Sequence, residues 1–208
     1  MLTIATGAAT GKTLFNARRY YGTGAGRSIT GYGFNPDLVW IKSRTAAVKH
    51  MLYDTVRGGG KVLVPSSTAA EGGFSASGLT DFIQDGWSTQ TGGDSDINDA
   101  TKSFISWGWK AGGAPSGVLV GSGATMSGTS GAGSIHDSAT GVSNLDGISQ
   151  SVNQTSGFSI TKFTGTGSAG AFPHDLGGTP AFIIIKSLGS CSWGVWHQNL
   201  VATAGYYL

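Results

Sequence analysis

The sequence predicts a mostly-β protein, and three observations lead to this class. Glycine supplies 36 of the 208 residues, while charged residues make up only 12%. Because glycine is unfavourable inside helices and useful in turns, this balance favours short strands joined by many turns. Short apolar runs bounded by turn residues can form the strands, and six Trp with nine Phe can fill a core. The third observation is an internal repeat.

Three blocks of sequence occur twice in the same order, which indicates a duplicated module. Their offsets are 144 (180 − 36), 143 (163 − 20) and 143 (193 − 50). An offset that changes by one residue over three blocks is not expected by chance. The pairs are PDLVWIKS (36–43) with PAFIIIKS (180–187), YYGTG (20–24) with FTGTG (163–167), and HMLYD (50–54) with WGVWH (193–197).

The repeated blocks have the pattern of strands in a sandwich. The runs 38–42 and 182–186 are apolar and flanked by Pro, which predicts equivalent, central, buried strands. Residues 157–163 alternate, and residues 104–110 place Ile105 and two tryptophans on one face. A marginal helical turn is predicted only around residues 77–84.

Composition divides the chain into four parts. We expect an N-terminal arm (1–19), a first β-sandwich module (20–113), a Gly/Ser-rich linker (114–143) and a second β module (144–208). Leu208 aligns near Val64 of the first copy, so we expect the second module to be incomplete. Either a longer chain or another subunit would then cover its apolar face.

The stretch TGAATGKT (6–13) suggests a phosphate-binding loop, but the pattern is not met. Gly7 precedes Gly11 by four residues, whereas the loop G-x-x-x-x-G-K-[ST] requires five. A phosphate-binding loop also needs a buried strand before it, and the five residues that precede this stretch are too few for one. No parallel α/β pattern follows it. We therefore interpret this stretch, including Lys12, as part of the arm, and we predict no cofactor.

Charge and cysteine content exclude several classes of protein. The formal charge is +2, and the basic residues of the first third accompany no nucleic-acid motif, so a solvated face is favoured over nucleic-acid binding. The single Cys191 excludes an internal disulfide framework and a CxxC metal site. No stretch approaches the length of a membrane helix, and no signal peptide is recognised, so we expect synthesis in a cytoplasm and no membrane span.

One acidic stretch resembles a cation-binding loop. Asp94, Asp96 and Asn98 have the D-x-D-x-N spacing of oxygen ligands for Ca²⁺. However, Asp99 stands where an EF-hand needs Gly, and position 105 is Ile instead of the bidentate Glu. A solvated acidic turn is the preferred interpretation, and no metal site is predicted.

No catalytic residues are predicted. Glycan hydrolysis needs a carboxyl pair, yet Glu71 lies in a Gly-rich turn, and Asp37 and Asp54 are replaced by Ala181 and His197 in the second copy. The sequence has no G-x-S-x-G motif, and the four histidines have no metal-ligand spacing. We therefore expect the protein not to be an enzyme.

Aromatic residues allow either a core or a sugar platform. Trp107 and Trp109 are the candidate ligand-binding residues, but Trp40 becomes Ile184 in the second copy, which favours core packing for Trp40. Lys42 and Lys186 occur in both copies at the end of the apolar run. We expect them to cap strand carbonyls or to pair with a loop Asp.

Longer motifs carry a resemblance to a known group. GFNPDLVWIKSR (33–44), LYDTVRGG (52–59) and WGWKAGG (107–113) resemble a module of tailed-bacteriophage virion proteins, which are often tail-fibre-like. LDGISQSVNQTSGFSITKFTGTG (145–167) and LGGTPAFIIIK (176–186) are similar to it too. The resemblance implies tandem β-sandwich modules of concanavalin or jelly-roll type.

The resemblance also implies a function and partners. It points to a virion structural protein, specifically the particle-proximal part of a tail fibre or spike used in host attachment. Implied partners are tail, baseplate or adaptor proteins, further copies in a homotrimer, and a host surface glycan or protein. Two alternatives remain open: a carbohydrate-binding or polysaccharide-depolymerising module, and a head-decoration protein.

Overall fold

The computed structural model describes residues 14–73, 77–91, 94–115, 146–168, 174–200 and 206–207. The regular elements within these residues are all β-strands, and every strand pairing between them is antiparallel. The predicted mostly-β class is therefore confirmed. The helical turn predicted around residues 77–84 is wrong, because residues 81–83 form a strand that pairs with its neighbour.

The strands divide between the two copies of the repeat. The first copy contains β1 (Phe15–Tyr21), β2 (Arg27–Thr30), β3 (Leu38–Ser43), β4 (Met51–Asp54), β5 (Lys61–Val62), β6 (Gly72–Gly73), β7 (Asp81–Ile83), β8 (Gly86–Thr89) and β9 (Ser103–Trp109). The second contains β10 (Asp146–Asn153), β11 (Phe158–Thr164), β12 (Phe182–Lys186), β13 (Trp193–His197) and β14 (Tyr206–Tyr207).

Two larger sheets and one short hairpin form the first module. The four-stranded sheet has the order β1-β9-β3-β4, so β3 is an interior strand as predicted. The three-stranded sheet has the order β2-β8-β7, and β5 pairs with β6. Because β1 is paired along its whole length with β9, residues 15–19 belong to the first sheet and not to the predicted N-terminal arm.

One hydrophobic core joins the two larger sheets of the first module. On β3 the side chains of Val39 and Ile41 are fully buried, while Leu38, Trp40 and Lys42 on the other face are half-buried. This alternation is the period-two pattern of a strand with one face against a core. The cluster contains Tyr20, Ile29, Tyr32, Phe34, Val39, Ile41, Met51, Tyr53, Val62, Leu79, Trp87, Ile97 and Phe104.

Tyr32 is a polar centre of this apolar core. Its hydroxyl lies 2.5 Å from Ser106 Oγ and accepts a hydrogen bond from Trp87 Nε1 at 3.2 Å. Buried hydroxyl and indole groups need such partners, because an unpaired one is costly. The ring fits only because position 108 is Gly, where a Cβ atom would lie 2.6 Å from Tyr32 Cε1.

The described part of the second module contains two separate sheets. β10 and β11 form a hairpin, and β12, β13 and β14 form a three-stranded sheet in that order. These strands do not establish a second closed sandwich, so the tandem-sandwich arrangement stays a prediction. β12 lies at an edge of its sheet within the described residues, whereas its predicted equivalent β3 lies in the interior.

The repeated hairpins have the same strand register, which supports the duplication. Leu38 faces Asp54 across β3 and β4, and at the equivalent places Phe182 faces His197. The backbone bridge between Leu52 and Leu63 likewise matches the pairing of β13 with β14. Residues aligned from the sequence therefore occupy equivalent places in the two hairpins.

The loop before β6 contacts the loop between β12 and β13, and we call this contact the seam. Cys191 N donates to Thr68 O at 2.9 Å, and Glu71 N donates to Leu188 O at 2.8 Å. Trp193 Nε1 donates to Ser67 O at 3.0 Å. The Trp193 ring is buried with Leu52 and Leu63 in a small cluster that also includes Leu38 and Trp40.

Trp40 differs from its sequence-based interpretation as a core residue. It is half-buried on the face of β3 that points away from the main core, and it packs in the small cluster at the seam. The apolar run 38–42 contains no polar residue before Lys42, so periodicity could not show which face is inside. Leu38 lies on the same outer face as Trp40.

Candidate functional site

The acidic loop is held by hydrogen bonds within the protein. Asp94 Oδ1 accepts from Asp96 N at 2.8 Å. The amide of Asn98 is used on both sides, because its Oδ1 accepts from Thr23 N at 3.1 Å and its Nδ2 donates to Ala25 O at 2.7 Å. These bonds attach the loop to the segment that follows β1.

The candidate ligands Asp94, Asp96 and Asn98 therefore act as loop-fixing residues in this structure. The oxygen of Asn98 is occupied, and Asp96 Oδ1 lies 3.4 Å from its donor Lys49 N. Asp94 is buried, and burial raises the pKa of its carboxyl group. In the part of the chain that the structure describes, no group of three or more His, Cys, Asp and Glu is placed to hold a metal ion.

Two of the three carboxylates considered for glycan hydrolysis, Asp54 and Glu71, bind the same arginine. Arg57 Nε donates to Asp54 Oδ2 at 2.6 Å, and Arg57 Nη1 donates to Glu71 Oε2 at 3.2 Å. Arg57 Nη2 donates to Leu52 O, and its side chain is 5% exposed. A buried arginine with several hydrogen bonds fixes a loop, and Glu71 in its Gly-rich turn is one of the groups that it binds.

Asp37 has a different set of partners at the end of the first module. Its Oδ2 accepts from Ala111 N at 2.8 Å and lies 3.4 Å from Lys110 Nζ, while its Oδ1 accepts from Thr55 Oγ1. Burial raises the pKa of Asp37, and the Lys110 charge opposes this shift. The carboxylate connects the start of β3 with the segment that leaves β9.

The outer face of the four-stranded sheet carries aromatic side chains in adjacent strands. Trp107 pairs with Trp40 across β9 and β3, and Trp109 pairs with Phe15 across β9 and β1. Residues opposite one another on neighbouring strands share a face. We call Phe15, Trp40, Trp107 and Trp109 the aromatic face. The ring of Phe15 is 43% exposed, and the three tryptophans are half-buried.

Some rings of the aromatic face are used in packing. Trp109 lies between Phe15, at 5.0 Å between ring centroids, and Phe158 of β11, which stacks on it at 6.2 Å. Trp40 Nε1 donates to His50 Nδ1 at 3.0 Å. Burial lowers the pKa of His50, and the charge of Lys42 adds to this effect. The candidate residues Trp107 and Trp109 are thus brought together on one surface.

The two repeated lysines cap backbone carbonyls, which is one of the two predicted roles. Lys42 Nζ donates to Ser43 O and Ala46 O, both at 2.9 Å. Lys186 Nζ donates to Ser187 O at 2.6 Å and to Gly189 O at 2.7 Å. The repeat therefore preserves a specific loop geometry after each apolar strand.

Three residues that matter here were missed from the sequence, although two of them left a signal. Phe15 and Phe158 begin β1 and β11 at the repeat offset of 143 (158 − 15), so extending the alignment upstream would have found both. Arg57 has no such signal, because position 200 of the second copy is Leu. Its role depends on Glu71, whose loop position cannot be read from spacing.

Some predictions concern residues outside the described ranges. These are the loop at residues 6–13 with Lys12, and residues 116–143 of the predicted linker.

The basic residues of the first third differ in how far their side chains are exposed. Arg18, Arg19, Arg44 and Lys49 are exposed, whereas Arg27 binds Tyr21 O and lies 5.7 Å from the centre of the Tyr20 ring. Across the described ranges, no helix has the length and apolar character needed to cross a membrane.

The fold and its surfaces define a mostly-β protein with a repeated hairpin and no assembled metal centre among the described residues. The chain belongs to a family of domains of unknown function (DUF7483), whose model matches residues 10–135 and again residues 132–208. Two matches to one model are consistent with the internal repeat. No significant match is found among curated proteins or solved structures.

Proposed function

We propose that this protein is a non-enzymatic structural component of a tailed-phage virion, the particle-proximal part of a tail fibre or spike that carries host attachment. The observation that supports this best is the repeated module. One hairpin occurs twice in the same register, and the loops of the two copies are joined at the seam by three hydrogen bonds. Modules that contact their sequence neighbours build extended assemblies.

The surroundings of the carboxylates support a structural role. Asp54 and Glu71 both bind the buried Arg57, and Asp37 binds Lys110 and a backbone amide. General acid–base chemistry needs carboxyl groups that can reach a substrate proton. These groups instead connect strands and loops, which is the role expected of carboxylates in a structural protein. The proposal includes self-association, binding to tail, baseplate or adaptor proteins, and contact with a host surface glycan or protein.

Labelling of particles tests the proposed location. Antibodies raised against residues 1–208 and carrying gold should decorate the tail or its fibres in purified phage, and the chain should be found by mass spectrometry of washed particles. A non-structural protein of the same phage is the control. Decoration of the capsid alone would instead indicate a head protein, and absence from washed particles would contradict the proposal.

Carbohydrate binding is a second candidate, and the aromatic face favours it. Trp107 and Trp40 are neighbours across two strands, with the small Ala17 on the other side of Trp107. Adjacent half-buried aromatic rings with a small neighbour can present a flat surface to a sugar ring. In this proposal the same protein would contact a host glycan during attachment.

A glycan array with matched variants tests this second candidate. Trp107→Ala should abolish a glycan signal that the unmodified chain gives. Ile105→Ala, at the next position on the same face of β9, should keep the signal. Circular dichroism should show that both variants remain folded. A signal that survives Trp107→Ala, or no signal for the unmodified chain, would exclude the aromatic face as a sugar platform.

A further inference from the structure

Two basic residues border the aromatic face on the outer side of the four-stranded sheet. Ile105 of β9 pairs with Arg19 of β1 on one side and with Lys42 of β3 on the other. We call Arg19 and Lys42 the cationic row. Two residues further along the same strands, Trp107 pairs with Trp40. Because residues two apart on a strand share a face, the cationic row lies about 7 Å from the tryptophan pair on the same surface.

The two charges of the cationic row differ in how many of their donors are free. Lys42 Nζ donates to Ser43 O and Ala46 O, so it adds positive charge but has already used most of its donors. Arg19 is exposed, and in the described part of the chain it has no hydrogen-bond or ion-pair partner. A guanidinium group offers a planar fork of donors that matches a carboxylate. Arg19 is therefore the group that can bind a charged ligand here.

The strands that carry the aromatic face and the cationic row contain no acidic residue. Neither Asp nor Glu occurs in β1, β3 or β9. On β4, Asp54 pairs with Leu38 at the other end of the face, and its carboxylate is bound by Arg57. A surface with one sign of charge attracts ligands of the opposite sign. The outer face therefore favours an anionic ligand.

We propose that the aromatic face and the cationic row together bind an acidic saccharide, a sugar chain that carries carboxylate groups. One sugar ring stacks on Trp107 beside the small Ala17, and a carboxylate of the chain accepts hydrogen bonds from the Arg19 guanidinium. The other end of the face gives the sugar chain its direction. There Trp109 is stacked on Phe158, so that end offers packed rings and no free charge.

This inference deepens the second candidate function, carbohydrate binding, on which it rests. It names the class of sugar and the residue that selects it. A polypeptide rich in Asp and Glu would match the charge of Arg19, but its acidic side chains have no ring to stack on Trp107. The pairing of Trp107 with Trp40 beside a free guanidinium therefore favours a sugar over an acidic polypeptide.

Matched oligosaccharides test the selection of acidic sugars. Oligogalacturonate and oligosialate are compared with their methyl esters, which keep the sugar rings and lose the charge. The unmodified chain should bind at least one acid at least about ten times more tightly than its ester, and added salt should weaken only the binding of the acid. Equal affinity for acid and ester, lost in Trp107→Ala, would overturn this inference and leave the sugar platform standing. Binding of neither would overturn both.

Two adjacent arginines of β1 provide matched variants. Arg19→Gln should weaken binding of the acid at least about tenfold and leave binding of the ester unchanged. Arg18→Gln removes the same charge from the other face, where a Cβ atom on Gly31 would lie 2.8 Å from Arg18 Cζ, and it should keep the affinity. Both arginines are exposed, and circular dichroism should show that both variants are folded. Equal losses would indicate attraction by net charge alone and overturn the site.

Polyglutamate separates an acidic sugar from an acidic polypeptide. It carries carboxylates without rings, so it should bind at least about ten times more weakly than the acidic sugar, and Trp107→Ala should not change its binding. Polyglutamate that binds as tightly as the sugar and loses this binding in Arg19→Gln would assign the site to an acidic polypeptide instead. The location of the protein in the virion is tested separately by labelling.

Discussion

Trp87 and Trp40 belong to different layers of the first module, and their substitution should have different costs. Trp87 is fully buried between the sheets, so Trp87→Ala should lower the free energy of unfolding by about 3–5 kcal/mol. Trp40 is half-buried on the outer face, so Trp40→Ala should cost about 2 kcal/mol. Urea denaturation of both variants checks this order. Equal losses would place Trp40 in the main core after all.

His50 gives the stability a dependence on pH. Burial lowers its pKa below the ordinary value of 6.5, so the unfolded chain binds the proton more readily than the folded chain. Stability should therefore fall as the pH drops below the ordinary pKa of 6.5 towards the lower pKa of the folded chain.

His50→Gln is the matched variant for this pH dependence. It removes the titrating group while offering an amide oxygen to Trp40 Nε1. Thermal melts at several pH values should show a smaller loss on acidification for the variant. If both proteins lose the same stability over this range, His50 is not the responsible group.

At the residue scale, the sequence predicted where a large side chain is needed better than it predicted which face of the strand that side chain occupies. Trp40 was assigned to the core because its counterpart is an aliphatic residue, yet half-buried outer positions keep bulk as well. A run of apolar residues hides which face is inside. Where polar residues alternate, as in β9, the shared face of Ile105, Trp107 and Trp109 was predicted correctly.

The paired lysine caps provide a prediction at the scale of the hairpin. Lys42→Met keeps the apolar stem but removes the donors of two partly buried carbonyls, and should cost about 1–2 kcal/mol. Lys186→Met should cost less than about 0.5 kcal/mol, because water can replace the donors at its exposed site. Denaturant midpoints of the two variants measure the difference. Identical shifts would contradict the role of burial.

At the element scale, strands at the repeated blocks followed from local pattern, and pairing partners did not. β3, β4, β12 and β13 lie where the repeat and the apolar runs indicated. The helical turn around residues 77–84 failed because pairing with β8 outweighs a weak local preference. Sheet order depends on contacts between distant residues, which a single sequence does not record.

The seam should hold the second module against the first. Trp193→Ala removes the buried ring and the bond to Ser67 O. Hydrogen exchange at β12 and β13 should then become at least about ten times faster, with β3 and β9 unchanged. Trp196→Ala, on the same strand but 40% exposed, is the control and should have little effect. Faster exchange throughout the chain would show that the modules unfold as one unit.

At the scale of the whole molecule, the repeat was visible and the contact between its copies was not. Two of the seam bonds, Cys191 N to Thr68 O and Glu71 N to Leu188 O, join backbone atoms, which impose little on residue type. The third, from the Trp193 side chain, also ends on a backbone oxygen, that of Ser67. The candidate metal ligands show the same limit, since D-x-D-x-N spacing serves loop fixation as well as cation binding. Spacing gives possible partners, and only folding selects among them.

The equal register of the two hairpins has a genetic consequence. Unequal crossing-over between the coding segments for β3 and β12 would add or remove 144 residues (182 − 38). The backbone pairs within the hairpin at the junction would be kept, because β3 and β12 meet β4 and β13 with the same alignment. Genes for chains of different length could thus arise without an intermediate that encodes a misfolded protein. We expect natural relatives with other numbers of modules to retain this hairpin at each junction.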